Sequence, residues 1–210
     1  SESQLSRALI AAEAEHITPI IVLNKSDLPM PFSLAWGRLE PYRSMGYTML
    51  PAALKAGHAE QMLPILGLLE GRTTLVLGPS GAGKSTLINR LVPGAAVVTN
   101  EISQALNSGK HTTTSTTWYW VDRERQTALI DSPGFQEFGL RHIEPMQLAA
   151  YMPDLKPHVA RCKFYNCTHL HEPGCGVLAA VNTRESSGGI SPRRHKIYAD
   201  LFAELSQTRY

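Results

Sequence analysis

The stretch that decides the fold is Thr73-Thr74-Leu75-Val76-Leu77-Gly78-Pro79-Ser80-Gly81-Ala82-Gly83-Lys84-Ser85. Its first five residues have the apolar, β-branched character of a buried strand, and a helical pattern follows from Lys84 to Leu91. The turn between them matches G-x-x-x-x-G-K-[ST] at every defined position. Backbone amides in such a turn bind phosphate, and the helix N-terminus that follows favours negative charge. The stretch therefore predicts a phosphate-binding loop in an α/β domain.

Each residue of this loop has an expected role toward a nucleoside triphosphate. Lys84 would contact the β and γ phosphates, as a binding and a catalytic residue, and the Ser85 hydroxyl would bind Mg²⁺. The other nucleotide contacts are assigned to Gly78, Ser80, Gly81, Ala82, Gly83 and Thr86. An ordinary glycine-rich turn is the alternative. The motif alone does not separate ATP from GTP, or a hydrolase from a kinase.

A second motif, Asn24-Lys25-Ser26-Asp27, closes the predicted strand 19–23. An aspartate there can accept two hydrogen bonds from the ring N–H and the exocyclic amine of guanine, whereas adenine presents the wrong pattern. Asp27 is therefore the predicted specificity residue. Asn24 would tie the base loop to the phosphate loop, and the Lys25 stem would lie over the base. A strand-to-helix turn with a capping aspartate is the alternative.

A third motif, Asp131-Ser132-Pro133-Gly134, follows the predicted strand 127–130 and matches D-x-x-G. Asp131 would hold Mg²⁺ through water, and the Gly134 amide would bond the γ phosphate. Loss of that phosphate would then release the segment, as in a switch. A simple Pro-Gly turn is the alternative.

The irregular stretch 93–114 is too long for a plain connection in a compact domain, which makes it a candidate second switch. Any of Thr112, Thr113 and Thr114 could complete the Mg²⁺ shell. We assign the Mg²⁺ contact and a catalytic role to Thr113, and a nucleotide contact to Thr114. A threonine-rich strand edge is the alternative.

The order of the three motifs is unusual, because N-K-x-D at residue 24 precedes the phosphate loop at 78 and D-x-x-G at 131. In the usual GTPase the phosphate loop comes first. Permutation at a surface loop is tolerable, since strand pairing and not the position of the termini sets the sheet. The predicted fold class is α/β: a circularly permuted P-loop GTPase domain at residues 1–150 and a small helical zinc-binding domain at 151–210.

The remaining elements are read from hydrophobic periodicity. Strands are predicted at 47–50 and 115–121 and a helix at 61–69, around a mainly parallel sheet. The last helix is predicted to begin at Pro192 with Ser191 as its cap, and to present Ile197, Leu201 and Leu205 on one face.

All three cysteines lie between residues 162 and 175. Cys162, Cys167, His169 and Cys175 would make a complete tetrahedral shell for Zn²⁺, and a closed shell of this kind is structural. Gly174 would give the tight turn before Cys175. Scattered buried cysteines are the alternative, and His171 is a competing ligand of lower weight.

Composition limits the function classes. With 210 residues, 43% hydrophobic and 18% charged residues, the chain is an ordinary globular protein and not a disordered one. A net charge of +2 permits nucleic-acid binding without arguing for it. The longest apolar runs are far shorter than the roughly 20 residues of a membrane span, and no signal peptide is evident. We therefore expect a cytoplasmic monomer with no membrane contact.

The permuted order, Gly109-Lys110-His111-Thr112-Thr113-Thr114, D-x-x-G and the Cys-Cys-His-Cys pattern together resemble the RsgA family, the ribosome small-subunit-dependent GTPases. The resemblance runs from about Ala11 to the last helix. It implies GTP hydrolysis to GDP with Mg²⁺, one structural Zn²⁺, and late maturation of the small (30S) ribosomal subunit, whose rRNA would be a partner. It also implies that the small subunit stimulates hydrolysis.

Two features depart from expectation. The family's N-terminal oligonucleotide-binding barrel is not in this sequence, in which N-K-x-D begins after 23 residues. The loop expected to place a Ser-Ala pair near guanine O6 reads Pro51-Ala52-Ala53, which leaves a backbone amide for that contact.

The residue after Gly134 is Phe135, where Ras-type GTPases have the glutamine that orients water. An apolar ring cannot position water, so hydrolysis should be slow without a partner. His111 is the nearest candidate for that role, with a solvated loop histidine as the alternative.

Two other function classes remain open on the sequence. One is a nucleotide-gated RNA-binding module with negligible hydrolysis, in which four cations would contact phosphates: Arg184, Arg193, Arg194 and Lys196. These charges could equally form a solvated helix face. The other is a small-molecule kinase, which shares the phosphate loop but has no reason to carry N-K-x-D.

Overall fold

The computed structural model describes residues 1–97, 116–132, 139–182 and 189–207, with the Asn182 side chain left out. The helices are α1 Glu2–Ala14, α2 Pro29–Arg38, α3 Glu40–Ser44, α4 Leu63–Leu69, α5 Lys84–Leu91, α6 Lys156–Val159, α7 Gly176–Asn182 and α8 Pro192–Ser206. The strands are β1 Ile20–Asn24, β2 Thr48–Ala52, β3 Thr73–Val76, β4 Thr117–Trp120 and β5 Ala128–Asp131. Short 3-10 helices occur at Ala59–Met62, Pro93–Ala95 and Pro145–Tyr151.

The strands pair in two small sheets. β1 pairs with β2 in parallel, β5 pairs with β3 in parallel, and β4 lies antiparallel to β5. The predicted mainly parallel sheet is thus divided among the described strands, because no hydrogen-bonded pairing joins β1 to β3. In both sheets the carboxyl ends of the parallel strands carry the motifs: Asn24 ends β1, Val76 precedes the phosphate loop, and Asp131 ends β5.

One hydrophobic core serves both sheets. Leu129 of β5 and Ile88 of α5 are fully buried in it, and Ile65 of α4 is nearly so. Ala52 of β2 and Val76 of β3 belong to the same cluster. The phosphate loop and the base loop are therefore fixed to a common packed layer.

The chain divides into two compact units. Unit 1 comprises Ser1–Pro19, Ser44–Gly46 and Gly139–Tyr210, and unit 2 comprises Ile20–Arg43 and Tyr47–Phe138. The sequence predicted two consecutive domains that divide at residue 150. In the structure, α1 groups with the C-terminal residues. The boundary of independently folding domains stays a prediction.

Unit 1 contains a helix that sequence analysis did not single out. α1 begins after Ser1, whose side chain accepts from the Gln4 N–H while the Gln4 side chain completes a capping box. Arg194 in α8 contacts α1. The residue is 4% exposed, and its guanidinium forms a two-pronged ion pair with Asp154 and donates to the Ser6 hydroxyl at 2.6 Å. Arg7 and Glu204 form a further ion pair between α1 and α8.

The local predictions agree well with these elements. The helix 84–91 is confirmed, and the strands begin or end within about two residues of their predicted limits. α8 begins at Pro192, and the Ser191 side chain caps it by accepting from the Arg194 N–H at 3.2 Å. On its predicted face Ile197 and Leu201 are buried. No helix among the described residues is long and apolar enough to cross a bilayer.

Candidate functional site

The phosphate loop connects β3 to α5 through backbone that needs glycine. Gly81 and Gly83 have φ of +76° and +107°, a region that residues with a Cβ seldom adopt. At Gly83 an added Cβ would also lie 2.5 Å from the Asn24 amide nitrogen and 3.2 Å from a Leu54 methyl. The last glycine of the motif is thus required by a close approach of the base loop.

Asn24 joins the base loop to the phosphate loop, as its sequence position predicts. Its amide nitrogen donates to the Ala82 carbonyl at 3.0 Å, across 58 residues of sequence. Its amide oxygen accepts from the Leu54 N–H at 3.0 Å and from the Lys25 N–H at 2.7 Å. One side chain therefore fixes three backbone segments.

The other polar side chains of the base loop, residues 24–27, include two that are exposed to solvent. Lys25 adopts a left-handed φ of 69°, and the Ser26 N–H donates to the Ala52 carbonyl at 3.0 Å. Asp27 and Lys25 are exposed at the turn that follows β1. The structure thus places the N-K-x-D turn beside the Pro51-Ala52-Ala53 loop, the arrangement expected of a base pocket.

Lys84 and Asp131 form the polar centre next to the phosphate loop. The Lys84 ammonium donates to the Gly78 carbonyl at 2.7 Å. Burial lowers the pKa of Lys84, against the effect of the nearby Asp131 carboxylate. Burial likewise raises the pKa of Asp131, against the effect of Lys84. Burial thus disfavours the charged form of each side chain, and a bound ligand of opposite charge would stabilise that form.

Asp131 fits a magnesium nucleotide for a further reason. Its side chain is 3% exposed, and its Oδ1 atom is buried without a hydrogen-bond partner among the described residues. A buried carboxylate oxygen without a partner costs free energy, which a hydrated cation would offset. The adjacent Ser132 hydroxyl donates to the Val76 carbonyl at 3.1 Å and so holds the end of β5 beside the phosphate-loop strand.

The four predicted zinc ligands come together in unit 1. The ligand atoms of Cys162, Cys167, His169 and Cys175 all lie within 4.8 Å of one another. The His169 Nδ1 atom is 3.4 Å from the Cys162 sulfur and 3.5 Å from the Cys175 sulfur, and those two sulfurs are 3.9 Å apart. Tetrahedral Zn²⁺ with bonds of about 2.3 Å to sulfur would space its sulfurs about 3.8 Å apart. The cluster therefore fits zinc.

The surroundings of the cluster favour a thiolate site. The N–H groups of Gly176 and Leu178 each point at a cysteine sulfur, at 3.4 Å. Burial raises the pKa of Cys167 to about 12 and lowers the pKa of His169. A divalent cation would reverse this penalty for the thiol, since it binds the deprotonated form. His171 is exposed and does not belong to the cluster.

Comparison with known proteins agrees with this geometry. The sequence model of the RsgA GTPase family matches residues 1–141. The chain belongs to the RsgA GTPase family. The small ribosomal subunit biogenesis GTPase RsgA of Variovorax paradoxus is 68% identical over the whole chain, and the protein of that name from Burkholderia mallei is 50% identical over 99% of it. This family member spans 66% and 64% of the length of those relatives.

Solved structures place the fold of this RsgA-family chain. The crystal structure of YjeQ from Thermotoga maritima superposes with a TM-score of 0.78 at 29% identity, covering the whole chain and 67% of YjeQ. The crystal structure of YloQ, described as a circularly permuted GTPase, gives 0.73 at 26% identity and covers 65% of YloQ. The fold is therefore the circularly permuted GTPase fold that the motif order predicts.

Several predicted site residues of this RsgA-family chain lie outside the described residues: His111, Thr112, Thr113, Thr114, Gly134 and Phe135. Their roles remain predictions. Ser80, Ser85 and Thr86 lie in the phosphate loop and the first turn of α5, where the motif places them.

One prediction about the RsgA-family chain is wrong. Arg194 was a candidate RNA contact, but its guanidinium is buried against Asp154 and Ser6 and cannot reach a phosphate in this structure. Arg193 pairs with Glu2 at 2.6 Å, and Lys196 lies 3.7 Å from Asp200. Arg184 lies outside the described residues. Arg193 and Lys196 are thus largely exposed, and each has a carboxylate beside it.

Sequence reasoning missed the residues that hold the zinc loop in shape. The Glu172 carboxylate accepts from the Thr168 N–H at 2.8 Å and from the Thr168 hydroxyl, and its other oxygen accepts from the N–H groups of Leu170 and His171 at 3.3 Å. Desolvation alone would raise the pKa of Glu172, but these hydrogen bonds outweigh it and lower the pKa.

α8 also contacts this loop, at its backbone carbonyls. The His195 ring nitrogen lies 2.8 Å from the His169 carbonyl, and the Tyr198 hydroxyl donates to the Thr168 carbonyl at 2.8 Å. Burial is the main cause that raises the pKa of Tyr198, which keeps its hydroxyl a donor. The spacing of two polar aromatic residues three apart on one helix is the signal that could have identified them.

Proposed function

We propose that this chain is the nucleotide-binding and zinc-binding part of a Mg²⁺-dependent GTPase that hydrolyses GTP to GDP and phosphate and acts in maturation of the small ribosomal subunit. The observation that carries the proposal is the Asn24 side chain, which holds the guanine motif against the phosphate loop. Family membership and the names of the relatives support the same activity. A partner on the small subunit also implies a cytoplasmic location.

The guanine contact is assigned to Asp27, whose exposed carboxylate lies at the turn beside the loop that contains Ala53. Its two oxygens would accept from the ring N–H and the exocyclic amine of guanine. The backbone N–H groups of the Pro51-Ala52-Ala53 loop are the candidates for a donor to O6. The Lys25 stem would cover one face of the base.

The phosphate contacts are assigned to Lys84 and the loop amides. Lys84 now donates to the Gly78 carbonyl, so binding would exchange that neutral acceptor for phosphate oxygens, which bind an ammonium more strongly. Ser85, Thr113 and Asp131 would hold Mg²⁺, which neutralises charge on the phosphates when it is bound. Thr114 and the Gly134 amide would contact the nucleotide.

Hydrolysis requires a group that orients water, and we assign this role to His111. Phe135 occupies the position at which a glutamine would serve, so the intrinsic rate should be low. We expect small ribosomal subunits and their rRNA to raise the rate. The chain would act as a monomer.

Single-turnover release of phosphate from GTP tests the activity. We expect slow release by the chain alone and faster release with small subunits, with large subunits and ATP as controls. His111→Ala should lower the stimulated rate without changing GTP affinity. Phosphate release under neither condition would instead support a nucleotide-gated RNA-binding module.

Asp27→Asn tests base recognition by a gain of function. The Asn amide offers one donor and one acceptor, which no longer match guanine but do match the 2-oxo group and ring N–H of xanthine. We expect GTP affinity to fall and XTP affinity to rise. Lys84→Ala should abolish binding of both nucleotides. Unchanged GTP affinity in both variants would contradict the assigned site.

A further inference from the structure

The tip of the zinc loop presents two adjacent aromatic side chains to solvent. Residues 163–166 lie between the ligands Cys162 and Cys167, and all four are exposed. Tyr165 has a relative exposure of 102%, and Phe164 of 41%. A single exposed apolar residue is ordinary on a protein surface. Two neighbouring aromatic rings at the end of a tight loop suggest a contact surface.

Cations outnumber carboxylates in the sequence around this tip. Three cations, Lys156, Arg161 and Lys163, lie between Asp154 and Glu172, and no carboxylate lies between them in sequence. Both flanking carboxylates already have partners: Asp154 forms an ion pair with Arg194, and Glu172 accepts hydrogen bonds from N–H groups of its own loop. Arg161 and Lys163 lie on either side of Cys162 and are both exposed, so this part of the loop offers two cations to solvent.

The cations and the rings are arranged together. The Lys163 ammonium lies 5.5 Å from the centre of the Phe164 ring. Arg161 and His158 line a cavity of about 350 Å³ beside Gly174, Cys175 and Gly176. An added Cβ at Gly176 would collide with the His158 carbonyl, so the backbone here is closely packed.

The loop is held before any partner binds. Both of its ends are members of the zinc cluster, and the Lys163 N–H donates to the Gly174 carbonyl at 3.0 Å. A preorganised loop loses little conformational entropy on binding, so its exposed rings can contribute most of their interaction energy.

We propose that the tip formed by residues 161–166, called the aromatic tip below, binds an unpaired RNA base by stacking on Tyr165, while Lys163 and Arg161 contact the adjacent phosphates. Exposed aromatic rings beside cations are how proteins bind single-stranded nucleic acid, because every base has a stacking face. A protein partner would be expected to meet a surface depleted of charge at its centre, whereas here cations flank the rings. The proposal rests on the proposed function, since it gives a direct contact with ribosomal RNA.

Fluorescence anisotropy with a labelled single-stranded RNA dodecamer of mixed sequence tests the proposal, using the full chain with zinc. Tyr165→Ala should weaken binding about tenfold, the loss typical of one stacked base. Tyr165→Phe should bind as the unchanged chain does, because the ring is kept. Tyr165→Leu should be as weak as Tyr165→Ala, because it keeps an apolar side chain without a stacking face.

Charge variants give the second arm of the experiment. Lys163→Ala should weaken binding and lower the slope of log affinity against log salt by about one. Arg141→Ala is the control in the same unit, since that arginine is also exposed but has no assigned role in binding, and it should leave the slope unchanged. Zinc content by metal analysis should be equal in all variants, which separates lost binding from a lost fold.

Three outcomes would overturn the proposal: no RNA binding by the unchanged chain, equal binding by Tyr165→Ala, or full binding by Tyr165→Leu. The last would indicate an apolar protein contact instead. Intrinsic GTP hydrolysis, measured without RNA, separates this proposal from the proposed function. If the chain hydrolyses GTP and Tyr165→Ala still binds RNA normally, only the proposal about the aromatic tip is contradicted. If GTP is never hydrolysed, the proposed function is contradicted, whatever the RNA result.

Discussion

Asn24 makes the contact on which the nucleotide site depends. Its side chain satisfies the Leu54 and Lys25 N–H groups and the Ala82 carbonyl, which belong to three different segments. Neither an aspartate nor a serine can replace it, because the first offers no donor and the second cannot span the same distance. The residue type at this position is thus fixed by backbone groups and not by a ligand.

We expect Asn24→Ala to lower the free energy of unfolding by about 1–3 kcal/mol, because it leaves partly buried N–H and carbonyl groups unpaired. GTP affinity should fall as well, since the base loop loses its connection to the phosphate loop. Urea denaturation and calorimetry measure the two effects. An unchanged affinity together with lower stability would show that the connection is structural only.

In the zinc loop, Glu172 fixes the backbone in the way that Asn24 does at the nucleotide site. One carboxylate accepts hydrogen bonds from the backbone of Thr168, Leu170 and His171, on both sides of the ligand His169. A loop whose N–H groups are already oriented holds its ligands in place for a metal. The residue acts on the metal through the backbone, as a positioning residue.

We expect Glu172→Gln to lower zinc affinity about 10- to 100-fold, since the amide loses acceptor capacity and brings an N–H donor toward other donors. Competition with a chromophoric chelator measures this affinity. Glu70→Gln, at an exposed position in unit 2, is the control and should have no effect. Equal zinc affinity in the two variants would contradict the assigned role.

At the scale of elements, the helices at the two ends of the chain are joined by buried charge. Arg194 of α8 is paired with Asp154, with side chains 5% and 12% exposed, and also contacts Ser6 of α1. Burying two charges costs desolvation energy, so the pair specifies which elements pack together more than it adds stability. α1 thus belongs to unit 1 although it precedes β1 of unit 2 in sequence.

Arg194→Met should destabilise unit 1 by about 3–5 kcal/mol, because it leaves the Asp154 carboxylate buried without a counter-charge. The double variant Arg194→Met, Asp154→Leu should recover most of this loss. Urea denaturation followed by hydrogen exchange in α1 measures both. If the double variant is no more stable than the single one, the loss reflects packing of the arginine stem and not the unpaired carboxylate.

At the scale of the whole molecule, unit 1 is attached to both nucleotide motifs by short stretches of chain. Pro19, its boundary residue, is five residues before Asn24, and Gly139 is five residues after Gly134 of D-x-x-G. Permutation of the motif order produces this arrangement. Few residues of sequence therefore separate the D-x-x-G motif from the unit that carries the zinc cluster.

Removal of the metal tests how far the units are independent. We expect a strong zinc chelator to abolish hydrogen-exchange protection in residues 156–182, where the ligands lie, because the folding free energy of such a loop is largely that of metal binding. Protection in β3, α5 and β5 should persist, and so should GTP affinity. Loss of protection in both units at the same chelator concentration would show a single cooperative fold.

Most of the candidate site is encoded in short segments, which is why sequence alone could predict it. The glycines of the phosphate loop, the N-K-x-D turn and the spacing of Cys162, Cys167, His169 and Cys175 all describe short segments whose conformation depends on adjacent residues. The start of α8 at Pro192, after the cap Ser191, is of the same kind. Such features can be recognised because sequence distance and spatial distance are nearly the same.

The tertiary structure alone decided which distant segments meet. It put Arg194 in contact with Asp154 and Ser6 and not with solvent, and it grouped α1 with the C-terminal residues. Neither of these two arginine contacts has a signature in spacing, because each joins residues at least 40 positions apart. Long-range pairs depend on how whole elements pack around a core. Whether an arginine such as Arg194 is exposed or buried depends on which residues that packing brings next to it.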